Sequence, residues 1–146
     1  MPQATLLIGK GNRGVLTSPK PLVDANPVLF APWISGGGKV EPVPLDKDVF
    51  GDGSVVMLAT PGNMTDHHSV PIRLRELGPV LFTSDLAHFR ENYDALGVPS
   101  FNTHRGETLA SLDRFEQIAA NLKATVVIQH DVRDIGRLPA CTAAAR

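Results

Sequence analysis

Two imidazoles and a carboxylate are the side chains in this sequence that could act together, because they make a donor set for a divalent ion of the zinc type. The carboxylate is Asp85, one imidazole is His130, and the other is His67 or His68. They lie far apart in the chain, so a joint role depends on the elements that carry them. The stretch from His67 to Asp85 reads as two strands, over 67–74 and 79–85, joined by a turn at Arg75-Glu76-Leu77-Gly78. Val70, Ile72 and Leu74 mark the first strand, and Val80, Leu81 and Phe82 the second. So short a turn forces an antiparallel pair, with the start of one strand beside the end of the other. If Leu74 faces Pro79, His68 faces Asp85; a slip of one residue puts His67 there instead. Adjacent strand residues point to opposite faces, so only one of the two histidines joins the carboxylate, and the pattern leaves the choice open. The β-branched run Thr125-Val126-Val127-Ile128-Gln129 reads as a buried strand that ends at His130. Polar residues at the ends of buried strands are where open α/β folds place their sites.

Composition bounds the rest. A chain of 146 residues with 42% hydrophobic content is long enough for a core, and residues 1–146 are expected to form a single domain. A net charge of −1 without a Lys/Arg-rich run gives no sign of a nucleic-acid partner. The one cysteine, Cys141, has no partner for an internal disulfide and lies in a small-residue stretch, 138–146, read as a frayed tail. No apolar run approaches the ~18 residues of a membrane span. The N-terminus lacks the layout of a signal peptide, so the cytoplasm is the expected location.

Taken in order, the chain opens with a strand at Ala4–Ile8, followed by Gly9-Lys10-Gly11-Asn12-Arg13-Gly14. That spells a dinucleotide-binding turn, but Pro19 and Pro21 are expected to prevent the helix it needs, and Asp24 comes too early. Residues 19–44 read as a long irregular connection with Trp33 as its packing anchor. A strand at 55–59 follows the Asp52-Gly53 turn, and Thr60-Pro61-Gly62-Asn63 bends the chain into the hairpin. Asn63-Met64-Thr65 is a formal glycosylation sequon that carries no weight without a secretion signal. Pro71 makes its strand an edge or a locally kinked one. Residues 86–103 form a loop long enough to wall a site, in which His88, Arg90 and Tyr93 are candidates to reach a substrate, though each is better read as packing or solvated. Gly106–Leu122 is the clearest helix, with Leu109, Leu112, Phe115, Ala119 and Leu122 on one face.

Ala59-Thr60-Pro61-Gly62, His67-His68-Ser69, Phe82-Thr83-Ser84-Asp85 and Gln129-His130-Asp131, in this order over nearly the whole chain, resemble the second half of a metallo-β-lactamase-fold hydrolase. Within that superfamily the resemblance is to the N-acyl homoserine lactonase-like, quorum-quenching members. It implies an α/β (α+β) fold: a partial αββα sandwich, mainly the second β-sheet with its covering helices. It also implies a two-zinc site in which His67, not His68, binds one metal, Asp85 bridges both, and His130 binds the other. A hydroxide held between the metals would attack a lactone or ester carbonyl of a small-molecule substrate. His88 stands three residues after the bridging Asp, where these lactonases typically carry a substrate-contacting Tyr, so it is the candidate substrate contact.

The sequence also departs from that pattern. Its first histidine is His67, so the His-x-His-x-Asp-His motif of the family's first half is absent. Asn63-Met64-Thr65-Asp66 replaces the usual His-Thr-Pro-Gly, and Asp66, with its Cβ, is expected to shift His67. The chain therefore reads as an incomplete domain. It is expected to bind zinc weakly by itself, to hydrolyse poorly, and to be completed by an N-terminal half or a homo-oligomer. The alternative is a non-catalytic remnant whose uncovered sheet face serves self-association or partner binding.

Overall fold

The computed structural model describes residues 4–18 and 27–139. Cys141, the 140–146 part of the expected tail, Pro19, Pro21 and Asp24 lie outside the described residues. The chain divides into two compact units, Met1–Pro44 and Leu45–Arg146.

In the first unit, β1 (Leu6–Gly9) pairs in parallel with β2 (Val40–Val43). Parallel neighbours need a crossover, and it contains α1 (Lys10–Leu16), a 3-10 turn at Pro27–Phe30 and α2 (Ala31–Ile34). Two sequence expectations are corrected here. A helix does follow the glycine-rich strand end, because its seven residues finish before Pro19 is reached. The 19–44 connection likewise contains helical turns and ends in a strand. Trp33 anchors it, its Nε1 donating to the carbonyl of Ala4 at 2.8 Å.

The second unit carries a five-stranded sheet in the order β3 (Lys47–Asp48), β4 (Val56–Ala59), β5 (His68–Leu74), β6 (Gly78–Phe82), β7 (Thr125–Val127). The first four strands are antiparallel neighbours, and β7 runs parallel to β6. Their helices are α3 (Arg90–Asp94), α4 (Arg105–Leu122) and α5 (Val132–Ile135). Pro71 is not on an edge: it pairs with Leu81 in β6, while the β4 ladder breaks opposite it between the Leu58–Ser69 pair and the Val55–Ile72 bridge. A missing N–H is tolerated where the ladder is already interrupted.

The α4 helix starts at His104, whose Nδ1 accepts from the Glu107 N–H at 3.1 Å, and stops at Lys123 in the left-handed conformation. It seals the sheet with Leu112 and Phe115, both fully buried, and with Ala119. Thr108 and Ser111 share that buried face, whereas Leu109 is half-buried and Leu122 exposed. The stripe is thus rotated from the all-apolar one expected, because Ser111 Oγ is needed to satisfy the Pro61 carbonyl at 2.7 Å. Leu58, Leu81, Leu86, Ala87, Tyr93 and Ile128 complete this core. Among the described residues no helix is long and apolar enough to cross a membrane.

Candidate metal centre

The β5–β6 hairpin sets the register that the sequence left open. Leu74 pairs with Gly78, Arg73 with Pro79 and Val70 with Phe82. Extended past Phe82, this register aligns His67, not His68, with Asp85. The pairing itself stops at Phe82, short of the expected end, because Thr83 donates its N–H sideways to Val127 (3.1 Å) and Ser84–Leu86 turn into a 3-10 helix. Ser84 takes φ 51°, and its N–H is held by Gln129 Oε1 at 2.9 Å. That strained turn presents Asp85 beside the end of β5.

His67 is 8% exposed, so both its nitrogens need partners. Nδ1 lies 3.0 Å from the Thr60 carbonyl and 2.9 Å from Thr60 Oγ1, and Nε2 accepts from the backbone N–H of Asp85 at 3.0 Å. Thr60 Oγ1 continues to Ser69 Oγ (2.9 Å), which donates to the Thr83 carbonyl (2.8 Å), a buried chain tying the bend, β5 and the Asp85 turn together. Gly62 makes the bend feasible: its φ is 130°, and its carbonyl receives the His104 N–H at 2.9 Å. Asp66 is not left-handed, so the expected displacement of His67 by its Cβ does not arise at that dihedral. His68 points elsewhere, its ring between the Asp66 and Leu45 carbonyls.

Asp85 meets His130 directly, Oδ1 to Nε2 at 2.8 Å, with both side chains about half exposed. Asn63 of the sequon donates to the other carboxylate oxygen at 3.4 Å. His88 stacks on His130, ring centroids 4.8 Å apart, and meets Phe101 edge-on at 5.3 Å. One ligand atom from each of Asp85, His88 and His130 lies within 4.8 Å of the others. Asp85 and His88 are three residues apart, separated by the end of the 3-10 turn at Leu86 and by Ala87, which is extended. Burial, then the neighbouring His130, pushes the His88 imidazole below its ordinary pKa against the pull of Asp85. Burial does the same to His67, opposed by the Thr60 carbonyl and Asp85. Both rings therefore keep a lone pair near neutrality.

The loops carrying His88 and His130 are braced by groups that sequence reading passed over. Asn92 Oδ1 accepts from the N–H groups of His88 (3.0 Å) and Phe89 (2.7 Å). Asp131, 2% exposed, accepts from the Arg90 N–H at 2.9 Å and from the Arg133 guanidinium. Asp134, 1% exposed, accepts from the Ile128 N–H at 2.9 Å and pairs with Arg90 and Arg137. Arg90 and Tyr93 are thereby structural: Arg90 pairs with Asp134, and Tyr93 is buried against Phe115. Beside His88 an apolar depression of about 340 Å³ is lined by Phe89, Val98, Pro99 and Phe101.

The N-acyl homoserine lactonase AttM of Rhizobium radiobacter is 30% identical over 119 residues, which is 70% of this chain and 45% of that protein. An N-acyl homoserine lactone hydrolase solved with N-hexanoyl-L-homoserine at its catalytic metal centre covers 97% of this chain and 52% of its own, with a TM-score of 0.76 at 19% identity. The chain is a homologue of the N-acyl homoserine lactonases, with their metallo-β-lactamase fold. A Bacillus sp lactonase of this kind is 32% identical over 90 residues, 59% of this chain and 36% of that protein. AidC, a dizinc quorum-quenching lactonase, shares the fold at a TM-score of 0.61 and 17% identity, over 86% of this chain and 47% of that one. No protein-family model matches the chain. The chain spans about half the length of the curated relatives it matches, 45% for AttM.

The donors fit a divalent cation of the zinc class. One carboxylate and two imidazoles are its usual ligands, and His88 Nδ1 is a buried nitrogen without a hydrogen-bond partner.

Proposed function

We propose that this chain is part of a zinc-dependent hydrolase of the lactonase type, acting on the carbonyl of a small lactone or ester. The observation that carries the reading is the contact of Asp85 with His130, with His67 hydrogen-bonded to the Asp85 amide, in a homologue of lactonases. Asp85 and His130 would hold the cation, and His67 would join them only if its Nε2 were released from the Asp85 amide. A zinc ion bound there supplies a Lewis acid that lowers the pKa of water and polarises the carbonyl. The chain's own part is to hold the donors in place. The Thr60–Ser69–Thr83 chain fixes the His67 tautomer, and Gln129 holds the turn that aims Asp85. The apolar depression next to His88 suits a hydrocarbon substituent on the substrate.

With five histidines and no His-x-His-x-Asp-His motif, this chain supplies few donors, so its own turnover is slow. The test is opening of N-hexanoyl homoserine lactone followed by proton release, with zinc and after chelation. Slow, zinc-dependent opening that disappears in Asp85→Asn supports the reading; a rate that ignores both zinc and Asp85 contradicts it.

A second reading, self-association without catalysis, draws on exposed Val132 (79%) and Ile135 (62%) along α5. Light scattering decides it: a metal-free dimer that hydrolyses nothing favours this alternative.

A further inference from the structure

We propose that His88 is a metal ligand, so that Asp85, His88 and His130 form a complete three-donor site for one zinc-class cation. This deepens the hydrolase reading of the same centre and rests on it in one respect, since both require a cation at Asp85 and His130. It departs from the substrate-contact role that sequence resemblance implies for His88.

Geometry is the first ground. Ligand atoms of the three residues lie within 4.8 Å of one another, while donors around a tetrahedral zinc stand roughly 3.3 Å apart given Zn–N distances near 2.0–2.1 Å. Asp85 and His130 are already at 2.8 Å, and rotation of the His88 ring out of its stack on His130 would have to close the rest. Rigidity is the second. Leu86 and Ala87, between the first two donors, are fully buried, and so is Ile128, two residues before the third. Asn92 grips the backbone at His88, and Asp131 grips the α3 start, so the two loops that carry the donors are pinned to each other. The third ground is chemical. The Nδ1 of His88 is buried and has no hydrogen-bond partner, and a bound cation would supply one. His67 is differently placed, both nitrogens being engaged by the Thr60 carbonyl and the Asp85 amide. Access from solvent is open, since the Asp85 and His130 side chains are 49% and 51% exposed.

The experiment is a zinc titration of the intact chain against a chromogenic chelator, with long-range proton–nitrogen spectra of the imidazoles recorded alongside. One equivalent is expected to bind, shifting ring nitrogens of His88 and His130 and leaving those of His68 and His104 in place. His88→Gln is expected to lose about tenfold or more in affinity. His104→Asn, which preserves the helix cap, keeps the parent value. A parent chain whose His88 nitrogens do not move on zinc binding overturns the proposal even where His88→Gln folds poorly. A folded His88→Gln that binds as tightly as the parent does so too, and leaves the hydrolase reading standing if Asp85→Asn abolishes binding. A parent chain that takes up no zinc overturns both.

Discussion

Replacing Gly62 by Ala is the sharpest test of how the site is positioned. Gly62 sits at φ 130°, a region open to glycine and strained for any residue with a Cβ. A Cβ built there lies 2.3 Å from both the N and Oγ1 of Thr108 and 2.6 Å from its Cα. These are atoms of the first turn of α4, so no flexible side chain can swing away. Either the bend or the helix start must move by roughly 1 Å to reach ordinary contact. The backbone strain costs about 1–3 kcal/mol and the overpacking about 1–3 kcal/mol more. A total of about 2–6 kcal/mol is a large share of the ~5–15 kcal/mol that holds a domain folded. Gly78→Ala is the matched control, since Gly78 has φ 73° with nothing within 4 Å of its Cβ position, and it costs only the strain of about 1–2 kcal/mol. Equilibrium urea unfolding followed by circular dichroism measures both. If Gly62→Ala falls within 1 kcal/mol of Gly78→Ala at unchanged m-value, the close approach of bend and helix is not as described.

Three further outcomes are expected. Ser84→Gly relieves a left-handed serine while its N–H keeps the Gln129 partner, so it stabilises by about 0.5–1 kcal/mol; a lower thermal midpoint would refute the strain. Phe115→Ala removes a fully buried ring packed edge-on to Tyr93 and costs about 3–5 kcal/mol in denaturant, where a loss under 1 kcal/mol would deny it a central place in the core. The third concerns acid. Glu91 is gripped by both arms of Arg133 at 2.7 and 2.6 Å, which holds its carboxyl down to about 2. A folded pKa below the unfolded ~4.3 gives stability that is present above that value and lost as pH falls toward the folded one. Glu91→Gln should therefore flatten the fall in thermal midpoint below about pH 4.5, modestly because the pair is exposed; an unchanged acid limb would show the fork to be without weight.

The sequence by itself determined the local elements and the identities of the chemical groups. Alternation and a short turn gave the hairpin, 3.6-residue spacing gave the long helix, and polar residues after apolar runs gave Asp85 and His130. These are properties of neighbours in the chain, set by side-chain period and turn length. Only the tertiary structure decided which histidine aligns with Asp85, because Val80, Leu81 and Phe82 are apolar at consecutive positions and that strand offers an apolar face in either register. It also decided that Pro71 lies inside the sheet, which depends on where β4 breaks contact. His88 belonged to the same class: its place beside His130 follows from the packing of Leu86, Ala87 and Ile128 in one core, a relation between segments about forty residues apart that no local pattern encodes. Thr108 and Ser111 could not be told from solvated residues until the bend at Pro61 and Gly62 came to rest on them, since a hydroxyl is buried only where a partner awaits it.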